Sequence, residues 1–547
     1  MSAASPRALP AFPISTRQMI RLVIGILWLG ASQSWFGAPL GTPSPGFTVV
    51  AAAIGFVAIA GAMLIRGEEA QRRFDLLLLG FSILFLLFAM YTWVGSVFES
   101  DEVAFAQQGS AFLLQGHDPF TANYASALAT FGVQSGTPTL AGTVVHQFSW
   151  PAGSLLLLAP LVALLGFHSY AVLAGNLLAM IVSVGIVVRR LPDHFLGALA
   201  LLLLLQPVYF LLVSCLDPLL LPFVLVALLE VERFRAPDAG ALARWVSPIC
   251  LGIACSVKQN PWFLVPFLIL MAVMAARDRR ANPWVAGLSY AGLAALTFLV
   301  VNLPFIVWSP LAWLSGALHP LATPAVPWGI GMGTLILLFG TGAFSLFSLS
   351  AVLAWISELL LYVRFYARLK PAAPLLAVLP LLLTNRNPAQ YFILAPLLFL
   401  FLCVAVGPVT APIVTGRRTL VAAAALVGCL AVVAGAAGLA VRPPLTVAVD
   451  SESASPQYFT ATVEVANHGS SVLTPHFVVS EGIIPTEPAT VLGGPTRLLP
   501  GASATYWIRT PEAANLPSPG QPTTFVIYAT TTSPDTFAAS PATFCPC

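Results

Sequence analysis

The chain has 547 residues, of which 58% are hydrophobic and only 8% are charged, and its formal net charge is +3. A soluble globular protein carries several times more charge on its surface, so this composition excludes a water-soluble fold and indicates a polytopic membrane protein. The basic residues lie singly or in pairs at the ends of apolar runs. This placement is typical of topology signals and excludes the basic stripe of a nucleic-acid-binding protein.

The positions of Lys and Arg predict how the chain crosses the membrane. Arg7 and Arg17 place residues 1–18 in the cytoplasm, and the apolar run 19–36 is a retained first span because no small-residue cleavage site follows it. Apolar runs close to the length of a spanning helix recur as far as residue 441. Residues 19–441 therefore form a predicted transmembrane domain of about thirteen helical spans.

Three regions of this domain depart from simple spanning helices. The runs 151–167 and 330–346 are shorter than the hydrocarbon core of about 30 Å, so they are predicted to be partial helices in the outer leaflet. If both cross fully, the spans number about fifteen, and the C-terminal region is extracytoplasmic in either case. The runs 247–257 and 262–276 flank Lys258-Gln-Asn-Pro261, which predicts a broken, re-entering hairpin whose polar tip lines a cavity.

Two predicted outer loops, 99–150 and 309–329, contain neither Lys nor Arg. The first begins with the densest acidic cluster in the chain, Glu99, Asp101 and Glu102. One interpretation is that these acids only favour the dipole at an exposed helix start. The other is that one carboxylate, held over a cavity, acts as a general base towards an attacking hydroxyl.

A helix is predicted to start at this acidic cluster. Ser100 can cap it, the apolar residues that follow have helical spacing, and Gly116 can end it. His117-Asp118-Pro119 follows directly, and Asp-Pro is typical of a structural turn. His146 and Trp150 close the loop near the predicted membrane surface, where Trp is common in any case.

Lys258 and Arg386 are the only basic residues that this topology places outside before Arg442. Either one alone is typical of a side chain that reaches lipid headgroups. Together, on a side otherwise without positive charge, they favour an anion site, such as a lipid-borne phosphate. Asp217, close to a predicted outer turn, is either a cavity residue or a structural hydrogen-bonding residue.

Residues 442–547 differ in composition from the rest of the chain, being rich in Thr, Ser, Pro and Val with three arginines against seven carboxylates. Residues 445–449, 459–465 and 523–528 have the alternation or the β-branched and aromatic content of strands. The segment is therefore predicted to be an extracytoplasmic immunoglobulin-like β-sandwich.

Two hypotheses for this β-sandwich remain open: it holds an acceptor glycan, or it steadies the first outer loop. Tyr458, Tyr506 and Trp507 could stack on sugars, but aromatic residues in strands are more often core. We predict that all three are core residues.

No Walker A loop, dinucleotide fingerprint, HExxH motif, CxxC pair or DxD triplet occurs in the chain. These absences leave ATP-driven transport, dehydrogenase and zinc-protease functions without a motif. No cofactor and no metal are predicted.

Five short motifs, taken in order, resemble those of the C-type, multi-spanning glycosyltransferases that use polyprenyl-phosphate sugars, including the bacterial mannosyl and arabinosyl members. The motifs are Ser100-Asp-Glu102, Leu114-Gln-Gly-His-Asp-Pro-Phe120, Trp150-Pro-Ala-Gly-Ser154, Ser256-Val-Lys-Gln-Asn-Pro261 and Asn385-Arg-Asn-Pro-Ala-Gln-Tyr391. The chain departs from that pattern where Phe120 replaces the usual Tyr and where Trp150-Pro-Ala replaces a double proline.

The resemblance implies a mainly helical, GT-C-like polytopic domain that carries out inverting sugar transfer. The donor would be a polyprenyl-phosphate sugar, a pentose or hexose such as arabinofuranose or mannose. The acceptor would be a glycan or glycolipid at the outer face of a bacterial plasma membrane, in cell-envelope biosynthesis. No nucleotide sugar and no cofactor would be needed.

The resemblance also implies roles for individual residues. Asp101 would deprotonate the acceptor hydroxyl, and Glu102 would orient substrate or substitute for it. Lys258 and Arg386 would bind the donor phosphate, which becomes the leaving group. The implied substrate pocket consists of His117, Asp118, His146, Trp150, Asp217, Gln259, Asn385 and Tyr391.

Two other classes of function remain open at this stage. A membrane transporter or lipid-linked sugar flippase would also use broken helices and buried charges, but it predicts symmetric halves, and no internal repeat is found. A membrane-anchored binding or scaffold protein would place its function in the C-terminal segment.

Overall fold

A computed structural model describes residues 15–32, 44–93, 100–133, 136–167, 170–192, 195, 215–240, 244–322, 325–340, 343–387, 390–405, 418–454, 458–481, 484–510, 522–541 and 543–546. The chain divides into two compact units. The first unit comprises Met1–Gly95 and Val184–Phe210, and the second comprises Ser96–Ser183 and Leu211–Cys547.

The described part of the first unit includes three long helices, α1 (Thr16–Ser32), α2 (Ser44–Leu64) and α3 (Glu68–Trp93). A buried ion pair joins α1 to α3: Arg21 Nη2 lies 2.6 Å from Asp75 Oδ1. Burial of these charges requires such a partner. The pair therefore fixes the register between the two helices.

The second unit contains the other helices and the strands that the structure describes. Its helices are α4 (Asp101–Leu114), α5 (Ala125–Thr130), α6 (Gly153–Leu165), α7 (Ala171–Arg190, whose last residues belong to the first unit), α8 (Asp217–Glu230), α9 (Val246–Val257), α10 (Val265–Asp278), α11 (Pro283–Trp308), α12 (Pro310–Ala322), α13 (Met332–Phe339), α14 (Phe344–Arg364), α15 (Tyr366–Leu369), α16 (Ala373–Val378), α17 (Gln390–Ala405) and α18 (Arg418–Ala440).

The helix predicted at the acidic cluster is present as α4. Ser100 has an extended backbone at the N-cap, and Asp101 and Glu102 occupy the first turn, where carboxylates favour the helix dipole. Gly116 follows the helix with φ +75°, the left-handed conformation that suits glycine after a C-terminus. The predicted positions of both ends of α4 are therefore confirmed, although the Ser100 side chain makes no capping hydrogen bond.

The prediction of about thirteen spans is not supported. Five helical segments among the described residues are long and apolar enough to cross a membrane: Ala171–Arg190, Pro283–Trp308, Phe344–Arg364, Tyr366–Leu383 and Arg418–Ala440. These segments fit a membrane protein. Residues 196–214 of the predicted transmembrane domain, an apolar run, lie outside the described residues.

Part of the difference arises because some runs that were counted as spans form helices too short to cross a membrane. The predicted break is present: α9 has 12 residues, α10 has 14, and a 3₁₀ turn at Asn260–Phe263 lies between them. The re-entering course of the two helices and the cavity at their tip stay predictions. At 1.5 Å per residue, each helix covers about 18–21 Å, less than the hydrocarbon core. The short runs 151–167 and 330–346 contain α6, with 13 residues, and α13, with 8.

The second predicted outer loop, 309–329, is mostly helical rather than irregular. Helix α12 begins at Pro310, and a proline in the first turn of a helix costs no hydrogen bond because the N–H there would be unpaired. At the end of this loop, Trp328–Gly329 (β1) pairs in parallel with Arg386–Asn387 (β2). This short pairing brings Arg386 beside the end of the second loop.

The C-terminal segment is a β-domain that begins at Leu445, close to the predicted boundary at 442. Its strands are β3 (Leu445–Ala454), β4 (Phe459–Asn467), β5 (His476–Glu481), β6 (Ile484–Gly493), β7 (Ser503–Arg509), β8 (Pro522–Thr532), β9 (Asp535–Ala539) and β10 (Thr543–Pro546). The order is β10-β8-β5-β6-β7-β4-β3, β9 pairs with β8, and every pairing is antiparallel. The three predicted strand segments fall in β3, β4 and β8.

The interior of the β-domain is apolar. Phe459 stacks on Phe525 with 4.5 Å between ring centroids, and Tyr506 is buried as predicted. Tyr458 and Trp507 are not core residues, however, because they are 37% and 53% exposed. In β7 the side chains alternate, so Tyr506 points inwards and Trp507 outwards.

The β-domain packs against the helices of its own unit and against the segment 99–150, the first predicted outer loop. One buried cluster contains Leu140 from that loop, Ile336 from α13, Phe347 from α14, and Tyr528 and Phe537 from the β-domain. Apolar burial of this kind stabilises the contact. The β-domain is therefore part of the second unit and not an independent appendage.

We predict that Phe459→Ala destabilises the protein by about 3–5 kcal/mol, because it leaves a cavity in the β-domain interior. Thermal unfolding of the full chain in detergent measures the effect. Trp507→Ala is the matched control, since this aromatic side chain is exposed and its loss leaves no cavity. Equal losses of stability in the two variants would contradict the assignment of the core.

Candidate functional site

The candidate site forms where several helices of the second unit begin or end. Glu102 lies in the first turn of α4, Asp217 opens α8, and Lys258 follows the last residue of α9. Tyr391 lies in the first turn of α17. Breaks in helices supply polar backbone as well as polar side chains, so charged groups can gather there inside an apolar protein.

Lys258 is a buried ammonium held by two carboxylates. Its Nζ lies 2.7 and 2.9 Å from the two carboxylate oxygens of Glu102 and 2.6 Å from Oδ2 of Asp217. The exposed fractions of Lys258, Glu102 and Asp217 are 1%, 6% and 4%. All three ammonium protons therefore have acceptors within this set, which we call the lysine triad.

Neighbouring groups complete the hydrogen bonding of the lysine triad. The backbone N–H of Leu216 donates to Glu102 Oε1 at 2.7 Å, and the Asn260 amide donates to Asp217 Oδ1 at 2.8 Å. The Tyr391 ring centroid lies 5.3 Å from Lys258 Nζ, within the range of a cation–π contact. Each carboxylate is thereby fixed from two sides.

The charges of the lysine triad do not balance, because two carboxylates face one ammonium. Burial raises the pKa of Glu102 to about 7; the charge of Asp217 acts in the same direction and Lys258 acts against it. Although burial disfavours a charged lysine, Asp217 and Glu102 together hold the pKa of Lys258 well above its usual value. The triad thus keeps its lysine charged and makes Glu102 the carboxyl that titrates near neutrality.

A second group of residues connects Asp101 to Arg386. The backbone N–H of Thr137 donates to Asp101 Oδ2, and Arg386 Nη2 donates to the Thr137 hydroxyl, both at 2.9 Å. The Arg386 guanidinium also lies 5.5 Å from the Trp328 ring centroid, and burial lowers the pKa of Arg386 while the charge of Asp101 opposes this change. Asp101 is only partly buried, so it is the more accessible of the two acids at the start of α4.

The other predicted pocket residues have different environments. His117 and His146 are exposed, and the Asp118 carboxylate accepts the backbone N–H of Phe120 at 2.9 Å, as in a structural turn. Trp150 is buried beside Phe148. The structure gives these four residues turn, surface or packing positions, so their pocket roles remain predictions.

Gln259 and Asn385 lie next to the two cations in sequence but make other contacts. The Gln259 amide donates to the carbonyl oxygens of Ser149 and Ala317 at 2.9 and 2.8 Å, which connects the two predicted outer loops. The Asn385 carbonyl accepts the N–H of Trp328 at 3.2 Å. Both residues therefore support the site through the backbone.

Sequence reasoning missed Thr137 and Trp328, which the structure places around Asp101 and Arg386. Thr137 lies in a Gly-Thr-Pro-Thr stretch that carries no signal for chemistry. Trp328 stands at the end of a predicted outer loop, where an interfacial tryptophan needs no other explanation. Their contacts are long-range and do not follow from local patterns.

Among the described residues, no group of three or more His, Cys, Asp or Glu side chains has the arrangement of a metal site. Comparison with known proteins finds no family, no curated protein and no solved structure that matches this chain. The functional argument therefore depends on the residues of the site.

We predict that Lys258→Met destabilises the protein by about 3–5 kcal/mol, because it leaves two buried carboxylates without their cation. Thermal unfolding in detergent measures the loss. Lys370→Met is the matched control: Lys370 is also buried, but the side chain of its partner Glu232 is 44% exposed and can be solvated. An equal effect in both variants would contradict the importance of the triad.

We also predict a pH dependence that belongs to Glu102. Because its pKa is raised from 4.5 to about 7, its contribution to stability is complete below about pH 4.5 and is lost as the pH rises through 7. The melting temperature should therefore decline as the pH rises from about 4.5 to 7, and Glu102→Gln should make this decline shallower. Glu464→Gln, at an exposed position, should leave the decline unchanged; an unaltered slope in Glu102→Gln would refute the assignment.

Proposed function

We propose that the protein is an inverting glycosyltransferase that moves a sugar from a polyprenyl-phosphate donor to a glycan or glycolipid acceptor. The observation that carries this proposal is the Asp101–Thr137–Arg386 connection. One residue, Thr137, contacts both a partly exposed carboxylate and a guanidinium. A base for the acceptor and a cation for the leaving phosphate are the two groups that this reaction needs.

The proposed reaction is a single displacement at the anomeric carbon. Asp101 accepts the proton of the acceptor hydroxyl, and the oxygen forms a bond to the anomeric carbon as the bond to the phosphate oxygen breaks. The electron pair leaves with the polyprenyl phosphate, whose charge Arg386 stabilises. No general acid is needed, because a phosphate monoester is a good leaving group once its charge is neutralised.

The roles of Glu102 and Lys258 in this proposal follow from the lysine triad. Lys258 was predicted to bind the donor phosphate, but it can reach a phosphate oxygen only by giving up a carboxylate contact. We therefore assign the phosphate first to Arg386, and assign to Lys258 the positioning of Glu102 and Asp217. Glu102 is hydrogen-bonded and buried, which favours Asp101 as the base.

The proposed setting is a GT-C-like helical domain in a bacterial plasma membrane, with its site and an immunoglobulin-like C-terminal domain on the outer face. The absence of Lys and Arg from residues 99–150 supports that orientation. The donor is a lipid-linked sugar, so the reaction requires no nucleotide and no metal. Tyr391, a predicted pocket residue, lies beside Lys258.

Asp101→Asn should lower transfer by a factor of about 10²–10⁴, since an amide cannot accept the proton. The assay measures movement of radiolabelled sugar from polyprenyl phosphate to an acceptor by purified protein in detergent. Asp450→Asn is the control, because Asp450 is an exposed residue of β3. Full activity of purified Asp101→Asn would remove the central assignment.

A second candidate function is a transporter or a lipid-linked sugar flippase. The observation in its favour is the lysine triad itself, since buried charges at a break between helices are common in transport proteins. The same assay separates the two candidates, because detergent solution has no compartments. Sugar transfer in detergent supports the enzyme. Movement of lipid-linked sugar across the membrane of a vesicle, with no transfer of sugar to the acceptor, supports the transporter.

A further inference from the structure

Residues 137–145 of the first outer loop form a small hairpin. The N–H of Thr139 donates to the Thr143 carbonyl at 2.8 Å, and the N–H of Val145 donates to the Thr137 carbonyl at 2.9 Å. Pro138 and Val144 form an isolated antiparallel bridge. We call this segment the 137–145 hairpin.

The base of the 137–145 hairpin is the part that contacts the candidate site. Thr137 donates its N–H to Asp101 and accepts a hydrogen bond from Arg386. Next to it, the Pro138 carbonyl accepts the N–H of Val326 at 2.9 Å. The position of this end of the hairpin therefore determines where the Asp101 carboxylate and the Arg386 guanidinium lie relative to each other.

The tip of the 137–145 hairpin contacts the β-domain. Leu140 is fully buried in the cluster with Tyr528 and Phe537. The Thr530 hydroxyl, also fully buried, donates to the Leu140 carbonyl at 2.9 Å across 390 positions of the sequence. A two-stranded hairpin alone is only marginally stable in water, so this docking supplies stability that the hairpin lacks.

The fit at the tip is close enough to exclude a side chain at residue 142. Gly142 has φ +70°, and a Cβ there would lie 2.9 Å from Cβ and 3.0 Å from Nδ1 of His476. No real Cβ tolerates such a contact without movement of its neighbours. The hairpin tip and the start of β5 are therefore complementary in shape.

We propose that the β-domain is a positioning element for the active site, acting through the 137–145 hairpin. Thr530 and His476 hold the tip, and Thr137 at the base transmits this restraint to Asp101 and Arg386. The effect on turnover rests on the proposed glycosyltransferase function, whereas the restraint on the hairpin does not. Misplacement of a catalytic group by about 1 Å can cost 10²-fold in rate, so a loosened hairpin should lower kcat.

The experiment combines hydrogen exchange with kinetics on the full chain in detergent. Thr530→Val, which removes the hydroxyl at almost constant shape, and Gly142→Ala should each speed amide exchange in residues 137–145 by about tenfold. They should lower kcat by a similar factor with little change in the KM for the donor. Thr530→Ser keeps the hydroxyl and should restore both properties.

Two matched variants control for unrelated damage. Gly132→Ala has the same backbone strain, with φ +65°, but a Cβ there meets nothing within 4 Å. Thr510→Val removes another buried hydroxyl of the β-domain, one that contacts Phe459 instead of the hairpin. Both should leave exchange in residues 137–145 at the wild-type rate.

The outcomes separate this inference from the proposed function. Unchanged exchange at the hairpin in both Thr530→Val and Gly142→Ala, with the β-domain folded, would overturn the restraint. Faster exchange with an unchanged kcat would overturn the positioning role. If wild-type protein shows no sugar transfer, the proposed function fails, while the exchange data still decide whether the β-domain holds the hairpin.

Discussion

The burial of one ammonium group organises the candidate site. Lys258 lies where α9 ends, and an isolated charge at that depth would be strongly destabilising. Glu102 and Asp217 come from α4 and α8, so the ion pairs join three separate helix ends. Burial of either carboxylate without the lysine would also destabilise the folded protein. Because each buried charge needs its partners, these ion pairs fix the relative positions of the three helices more strictly than apolar packing alone could.

This arrangement separates the buried charges of the lysine triad from the charges to which we assign the proposed reaction. The lysine triad uses its hydrogen-bonding capacity internally, which makes it a poor partner for a substrate. Asp101 is adjacent to Glu102 in sequence but points to a different environment, where Thr137 and Arg386 lie. The first turn of α4 can therefore anchor the helix through Glu102 while Asp101 faces Thr137 and Arg386. Neighbouring acids on a helix lie about 100° apart, which allows these two roles to coexist.

Local signals in the sequence predicted the elements that depend on local chemistry. Ser100 and Gly116 marked the ends of α4, Lys258-Gln-Asn-Pro261 marked the break in the hairpin, and alternation marked the strands of the β-domain. The number of spans could not be read in the same way, because a run of apolar residues does not reveal whether its helix is continuous. Thr137 could not be identified either, since its importance arises from contacts with Asp101 and Arg386 that are distant in sequence.

The dependence of the 137–145 hairpin on the β-domain has a consequence for folding. The hydrogen bond from Thr530 to Leu140 closes a loop of 390 residues, and such non-local contacts form only after the intervening chain has been ordered. The lysine triad, by contrast, needs only residues up to Lys258. The helical frame of the site can thus assemble before the β-domain exists. If the β-domain positions the hairpin as proposed, the geometry of Asp101 and Arg386 becomes complete only when the last strands have docked, which ties the formation of the proposed reactive pair to the integrity of the whole second unit.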